Sequence, residues 1–415
     1  MRLQLVPRAA QADFLDLPWH EPLEEWESAR LVEVPRGIGR HVVRFVDYAG
    51  RFFALKELPP EVAAREYRLL RTLGTRGIAA VDAVGIVSDR ARDGEEELPD
   101  VLITRYLDFS LPYRLALARR PEPQQLERLL DAFGQLLVRL HLSGFFWGDC
   151  SLSNALFRRD AGELAAYLVD AETGELHPRL SDGQREYDLQ IAEENVFGEL
   201  LDVEAELGED DGEEAASLAA EIPARYERLW SELTADEELR PGESERFDAR
   251  LRRLNELGFD ADEVEIVETE RGFRLRLEPK VMEPGHHRRR LLRLTGLDAQ
   301  ENQARRLLAD IDAYRLRLAE GPDPAPSETA AVARWLAEVF EPALAAVPPE
   351  LLDRRDAAQL FHELLEHRWY LSERAGREVP LEEAVADYIE SVLRRLPDER
   401  RVIGRGGDGY GLGYG

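Results

Sequence analysis

The stretch WGDCSLSNALF, Trp147 to Phe157, followed by VDAETGE, Val169 to Glu175, decides how the rest of the chain is read. An Asp, four intervening residues, an Asn, and a second Asp sixteen residues further on form the layout Asp149, Asn154, Asp170. Phosphoryl transfer needs such a layout, because its catalysis is mostly positioning and charge neutralisation: one carboxylate receives the proton of the attacking hydroxyl, and two oxygen ligands hold a metal ion against the phosphates. Asp149 is the candidate base, and Asn154 and Asp170 are the candidate ligands, hard oxygen donors that suit Mg²⁺. The chain has only four asparagines, so an Asn at one prescribed offset is about a one per cent accident.

The surroundings of the stretch are consistent with this reading. Residues 154–157 and 164–169 alternate as short strands around RRDAGE, a hairpin turn signal that brings Asn154 and Asp170 to one end of paired strands. Upstream, LVEVP (31–35), HVVRFVDY (41–48), RFFALKEL (51–58), residues 78–87 and VLITRY (101–106) read as five strands, with an amphipathic helix over 61–73 after the third. That helix is expected to turn Ala63, Tyr67 and Leu70 inward, with Glu66 at the edge of the stripe. Gly37 and Gly39 lie in a turn between the first two strands, where backbone N–H groups can approach phosphates. Lys56, near the end of the third strand, can reach the same phosphates, and Glu66 is its natural counter-charge. Only two of the 54 basic residues are lysines, Lys56 and Lys280, so a Lys here marks a position where Arg has not served. Residues 1–30 are read as a short helical lead-in.

Composition narrows the function classes. The 415 residues allow two or three domains. A net charge of -29 opposes unspecific binding to nucleic acid or to an anionic membrane surface. A single cysteine, Cys150, excludes an internal disulfide framework and a cysteine-rich zinc site. The first nineteen residues lack the apolar run of a signal peptide, and no later window reaches membrane-span length, so the cytoplasm is the expected location.

Beyond the stretch, in residues 176–201, Ser181-Asp182-Gly183 precedes a long helix with Asp188 on its first turns, where an acid usually serves as a cap or dipole partner. From Glu206 the chain becomes strongly acidic and helical. Residues 264–281 alternate as a β-hairpin carrying Lys280 as an ordinary exposed residue, and helices continue to about Leu396. The glycine-rich end, Gly404 to Gly415, is expected to be disordered. HELLEH, His362 to His367, spaces its histidines five apart, which rotates them away from a shared metal. The basic run His286 to Arg290 with Arg293 is read as pairing with acids around 208–214 rather than holding a phosphate. Cys150 and His141 are read as packing residues.

The motifs Leu140-His141-x-x-Gly144, WGDCSLSNALF, VDAETGE and YDLQIA resemble those of the kinase-like phosphotransferases, in particular the lipopolysaccharide-kinase and small-molecule phosphotransferase branch. AAQLFHELLEHRWYLSERAGREV, Ala357 to Val379, is similar to the bacterial domain of unknown function 4032, which accompanies such a kinase-like half and brings no known chemistry. The resemblance implies an α+β, protein-kinase-like two-lobe fold with a five-stranded antiparallel N-lobe and a helical C-lobe. A mainly helical C-terminal domain containing a β-hairpin would follow.

The implied boundaries are 1–205 for the kinase-like domain (N-lobe about 31–107, catalytic lobe about 108–205), 206–400 for the helical domain and 401–415 for the tail. It further implies that Lys56, oriented by Glu66, holds the α and β phosphates of ATP, that Gly37 and Gly39 cover them, and that Thr104 to Leu107, Tyr106 included, face adenine. Asp149 would be the base, Asn154 and Asp170 the Mg²⁺ ligands, and Asp188 the brace of the catalytic loop.

The departures are Trp147 where protein kinases have His, a missing third glycine near Val42, Ala171-Glu172 after Asp170, and no APE-like motif. They point away from a regulated protein kinase. The expected activity is ATP- and Mg²⁺-dependent transfer to a hydroxyl of a small molecule, glycan or lipid precursor. The alternative is a catalytically weak nucleotide-binding scaffold whose C-terminal half binds a protein partner.

Overall fold

The computed structural model of the chain describes residues 1–6, 12, 14–32, 41–92, 96–117, 123–208, 212–234, 237–239, 264–269, 272–277, 286–319 and 327–400. Gly37, Gly39, Lys280 and the segment Gly404 to Gly415 lie outside these. The chain divides into two compact units, one built from residues 1–72 and 81–108, the other from 73–80 and 109–400.

The first unit is an antiparallel sheet of six strands, one more than the sequence suggests. It comprises β1 (Arg2–Leu5), β2 (Leu31–Val32), β3 (Val43–Tyr48), β4 (Arg51–Leu58), β5 (Ala83–Ser88) and β8 (Asp100–Arg105), in the order β1-β5-β8-β4-β3-β2. A small ribbon, β6 (Arg90–Arg92) and β7 (Glu96–Leu98), occupies the charged connection before β8. The extra strand comes from the expected helical lead-in, because Arg2-Leu3-Gln4-Leu5 alternates polar and apolar residues with period two. Gly85 makes room for it: a Cβ there would lie 2.7 Å from the Gln4 carbonyl oxygen and 2.6 Å from Leu5 Cδ2. The strand expected to begin at 78 starts instead at Ala83, where its pairing with β8 is bulged between Ala83 and Gly85.

The described residues of the lead-in from Phe14 onward hold one short 3-10 helix, Leu23–Glu25, and pack on the sheet. Phe14, Trp19 and Trp26 join Val46, Phe53 and Leu55 in one core. Its backbone polar groups are answered by Arg90, which is 2% exposed and donates to the carbonyls of Trp19 (3.0 Å), Glu21 and Pro99 (2.8 Å) and to Glu57 Oε1 (2.8 Å). Glu57 also accepts from Leu23 N at 2.9 Å. A buried guanidinium is tolerated here because its donors are met by fixed acceptors.

After β4 comes α1 (Pro60–Thr75). Ala63 and Leu70 face inward as expected, but Glu66 is fully buried and Tyr67 only half-buried, so the stripe is centred on the carboxylate.

The second unit starts with β9 (Ser110–Pro112), α2 (Tyr113–Leu117) and α3 (Pro123–Leu142). The six leucines and one phenylalanine of α3 from Leu126 to Leu140 are all buried. Next come β10 (Phe145–Phe146), the hairpin β11 (Ala155–Asp160) and β12 (Glu163–Leu168), and β13 (Glu175–Leu176). β11 also pairs with β9, and β10 with β13. Two long helices follow, α4 (Asp182–Leu207) and α5 (Glu213–Thr234). The hairpin expected in 264–281 is β15 (Val264–Thr269) with β16 (Gly272–Leu277). β14 (Glu237–Leu239), in a stretch read as helical, adds a third strand to it.

The chain continues through α6 (His286–Thr295), α7 (Glu301–Ala319), α8 (Glu328–Trp335), α9 (Glu341–Ala345), α10 (Ala357–Ala375) and α11 (Leu381–Ser391). Trp335, Phe340 and Phe361 centre their core, with ring centroids 5.0 to 5.5 Å apart. Among the described residues no helix is long and apolar enough to cross a membrane.

Candidate active site

The loop from Trp147 to Asn154 has no regular secondary structure of its own, so its backbone N–H groups need external acceptors. Helix α4 supplies them. Asp188, fully buried, accepts from Trp147 N and Gly148 N, each at 2.8 Å. Glu199 accepts from Leu152 N and Ser153 N, again at 2.8 Å. Asn195 donates to the Cys150 carbonyl at 3.1 Å and approaches Asp149 Oδ1 at 3.5 Å.

These three residues stand seven and then four positions apart, which places them on one stripe of the helix. Ser181 starts α4 with a reciprocal capping box to Gln184, fixing where the stripe begins. Burial pushes the Glu199 carboxyl above the usual range, and its bonds to the Ser153 and Leu152 amides oppose that shift. Gly148 sits at φ +75°, a conformation that Gly adopts without a Cβ penalty.

Asp149 and Asn154 are in direct contact: Asn154 Nδ2 donates to Asp149 Oδ2 and to its carbonyl, each at 3.1 Å. This fixes the amide so that its oxygen is turned away from Asp149. Asn154 also ends the hairpin, because its carbonyl accepts from Val169 N at 3.0 Å while Ala155 pairs with Leu168. Asp170 therefore emerges beside Asn154. Its Oδ1 accepts from Glu172 N at 3.0 Å. The donor set of this end, an amide oxygen and a carboxylate, fits Mg²⁺.

Trp147, noted above as a departure, is fully buried, and its indole Nε1 donates to the Asp170 carbonyl at 3.2 Å. Thr173 Oγ1 donates to the Trp147 carbonyl at 2.8 Å. The Trp thus ties the backbone of the loop to the backbone that carries Asp170.

His141 is buried with both ring nitrogens bonded, Nε2 to Asp188 at 3.0 Å and Nδ1 to Tyr226 Oη at 2.8 Å. Burial lowers its pKa, opposed by the hydrogen bond to Asp188, so the ring is neutral. The carboxylate needs a donor, so the proton is assigned to Nε2, and Nδ1 accepts from the tyrosine. Cys150 is also fully buried, and burial raises its thiol pKa well above the usual value. Both packing readings agree with these environments.

In the first unit, Lys56 Nζ lies 3.2 Å from Glu66 Oε2 and 3.4 Å from Oε1, with the carboxylate buried. Lys56 pairs with Val43 on one side and Leu102 on the other, so the ammonium is carried by an inner strand. Thr104 pairs with Ala54 and Ala83. Tyr106 N donates to the Phe52 carbonyl at 2.9 Å, and its ring meets Phe45 and Phe52 edge-on.

Asn195 and Glu199 were missed in sequence. Their signal was present, since polar residues at 188, 195 and 199 share a helix face with buried Ala192 and Val196 nearby. Elsewhere, His362 lies 3.2 Å from Arg306 and His367 lies 2.7 Å from Asp387, so the two histidines have separate partners. The basic run pairs with nearer acids than expected: His287 with Glu301, Arg288 with Asp298, and Arg290 with Glu328.

Residues 51–197 match the lipopolysaccharide kinase (Kdo/WaaP) family, and residues 228–393 match a domain of unknown function, DUF4032. The solved structure of WaaP in complex with acyl carrier protein is similar at 19% identity with a TM-score of 0.37, over 62% of this chain and 99% of that one. No curated protein matches. The chain therefore joins a kinase-like phosphotransferase region, matching the lipopolysaccharide kinase (Kdo/WaaP) family, to a domain of unknown function.

Proposed function

We propose that the chain transfers the γ-phosphoryl group of ATP to a hydroxyl of a small molecule, glycan or lipid precursor, a sugar hydroxyl being the acceptor class that the family match favours. The observation that carries this reading is the loop itself. Four of its backbone N–H groups are held by two carboxylates of α4, and its two functional side chains, Asp149 and Asn154, are fixed against each other.

In this reading Asp149 takes the proton of the acceptor hydroxyl as its oxygen bonds to the γ-phosphorus, and the bond from that phosphorus to the β-phosphate oxygen breaks to release ADP. Asn154 and Asp170 would hold Mg²⁺, which when bound supplies charge neutralisation at the phosphates. Lys56, oriented by Glu66, holds the α and β phosphates. Thr104 and Tyr106 belong to the adenine side, and Asp188 positions the loop. In this reading the activity belongs to the cytoplasm, where ATP is at hand. Residues 1–205 form the kinase-like domain, and 206–400 the helical one.

Asp149→Asn tests the assignment. Calorimetry with ATP and Mg²⁺ should give nearly wild-type binding, while transfer of labelled γ-phosphate to a metabolite pool falls by about 10²-fold or more. Unchanged turnover would remove Asp149 from the mechanism. The reduced glycine loop favours the second reading, a nucleotide-binding scaffold with a protein partner on its C-terminal half; sustained γ-phosphate transfer counts against it.

A further inference from the structure

The hairpin β11–β12 has two working ends. One presents Asn154 and Asp170. The other, the turn Asp160-Ala161-Gly162-Glu163, enters the helical segment of the second unit. Six residues of strand separate them, about 20 Å at the usual rise.

Helix α7 has Gln300 at its N-cap, since the Gln300 carbonyl accepts the first helical bond from Ala304 N at 2.8 Å. The N–H groups of the next turn are normally met by an N-cap side chain. Gln300 does not meet them, because its Oε1 accepts from Tyr167 Oη of β12 at 2.6 Å. Asp160 does so from the hairpin: Oδ1 accepts from Gln303 N at 2.8 Å, and Oδ2 from Asn302 N at 3.2 Å and Asn302 Nδ2 at 3.0 Å. The helix is thus capped in trans by a residue more than a hundred positions away.

The same turn is held at three further points. Gln303 Nε2 donates to the Arg159 carbonyl and to Gln359 Oε1, each at 3.0 Å. Gln359 Oε1 also accepts from Ala161 N at 3.0 Å. Arg159 pairs in bidentate fashion with Glu399, at 2.8 and 2.9 Å, and Glu399 is braced by Arg355 at 2.9 Å. Asp160, Gln303, Gln359, Arg355 and Glu399 are all buried. Hydrogen bonds of this density between buried groups fix a single geometry, because each broken bond leaves a buried polar atom unmet.

We propose that the helical segment is a positioning domain for the phosphotransferase half. By gripping the turn through the trans cap at Asp160, it holds the far end of the hairpin, and so sets how tightly Asn154 and Asp170 bind a divalent cation with nucleotide. This rests on the reading of Asn154 and Asp170 as ligands. Asp160, Gln303 and Gln359 are positioning residues, acting through the hairpin and touching no reactant.

The test uses the full chain with Asp160→Ala, and with Asp160→Ala combined with Gln300→Asp, which restores a cap to α7 in cis. Two quantities are read besides thermal melting: the Mg²⁺ concentration needed to bind a non-hydrolysable ATP analogue by calorimetry, and amide hydrogen exchange over 155–169. Asp160→Ala should raise the Mg²⁺ requirement about tenfold and speed exchange at Val169. The double variant should recover melting but not the Mg²⁺ requirement. If the cis cap restores both, or if neither quantity moves in Asp160→Ala, the contact is only stabilising and the proposal is overturned. Absence of Mg²⁺-dependent binding in the wild-type chain overturns the ligand reading and the cation half of the proposal with it; exchange at 155–169 then still decides whether the turn grips the hairpin.

Discussion

At the scale of single residues, the site depends on buried carboxylates placed where backbone donors need acceptors. Asp188 accepts from two loop amides and one histidine, so Asp188→Ala strands three buried donors at about 1 to 3 kcal/mol each. The variant should unfold at least about 3 kcal/mol more easily in urea. Trp147→Phe is the finer probe. It keeps most of the buried ring and deletes only the donor to the Asp170 carbonyl, so it should melt within about 2 kcal/mol of wild type while phosphoryl transfer drops roughly tenfold from loss of alignment. Equal losses in both would assign Trp147 to packing alone. The pattern of Asp149, Asn154 and Asp170 was legible because their spacing is a local property. The purpose of Trp147 was not, since an indole donor acquires meaning only once the Asp170 carbonyl stands opposite it.

Among the elements, the hairpin β11–β12 was legible in outline from alternation and its turn, and α1 from its apolar period. β1 was missed because four residues near an end carry little pattern, and their pairing depends on Gly85, distant in sequence. Gly85→Val should push β1 off its neighbour, since the first added carbon already falls within 3 Å of Gln4 and Leu5; proteolysis within residues 1–30 should accelerate.

The turn of the hairpin adds a pH dependence. Burial raises the Asp160 carboxyl to about 6, against the hydrogen bonds from Gln303 and Asn302, with Glu301 adding to the rise. A folded pKa above the unfolded 3.8 favours the folded state fully below pH 3.8, and that preference is lost as pH rises through about 6. Wild type should therefore lose about 2 kcal/mol relative to Asp160→Asn between pH 4 and pH 7.5, measured as the difference of two urea curves at each pH. A pH-independent difference would show that Asp160 titrates normally in the folded chain.

For the whole molecule, a net charge of -29 sets a self-repulsion that salt screens. Raising ionic strength from about 0.01 M to 0.3 M should raise the melting temperature, and duplex DNA should not be retained at either. By itself the sequence determined the spacing of Asp149, Asn154 and Asp170, the motifs that carry the resemblance to kinase-like phosphotransferases, and the helical character of much of the second half. The spacing and the helical character are local properties, which a single chain displays. The tertiary structure alone decided what holds the stretch Trp147 to Phe157: the stripe of Asp188, Asn195 and Glu199 on one helix, the indole of Trp147 on the Asp170 carbonyl, and the capping of a distant helix by Asp160. These are pairings between residues tens to hundreds of positions apart, and a buried donor chooses its acceptor by distance in space, which residue spacing along the chain does not encode.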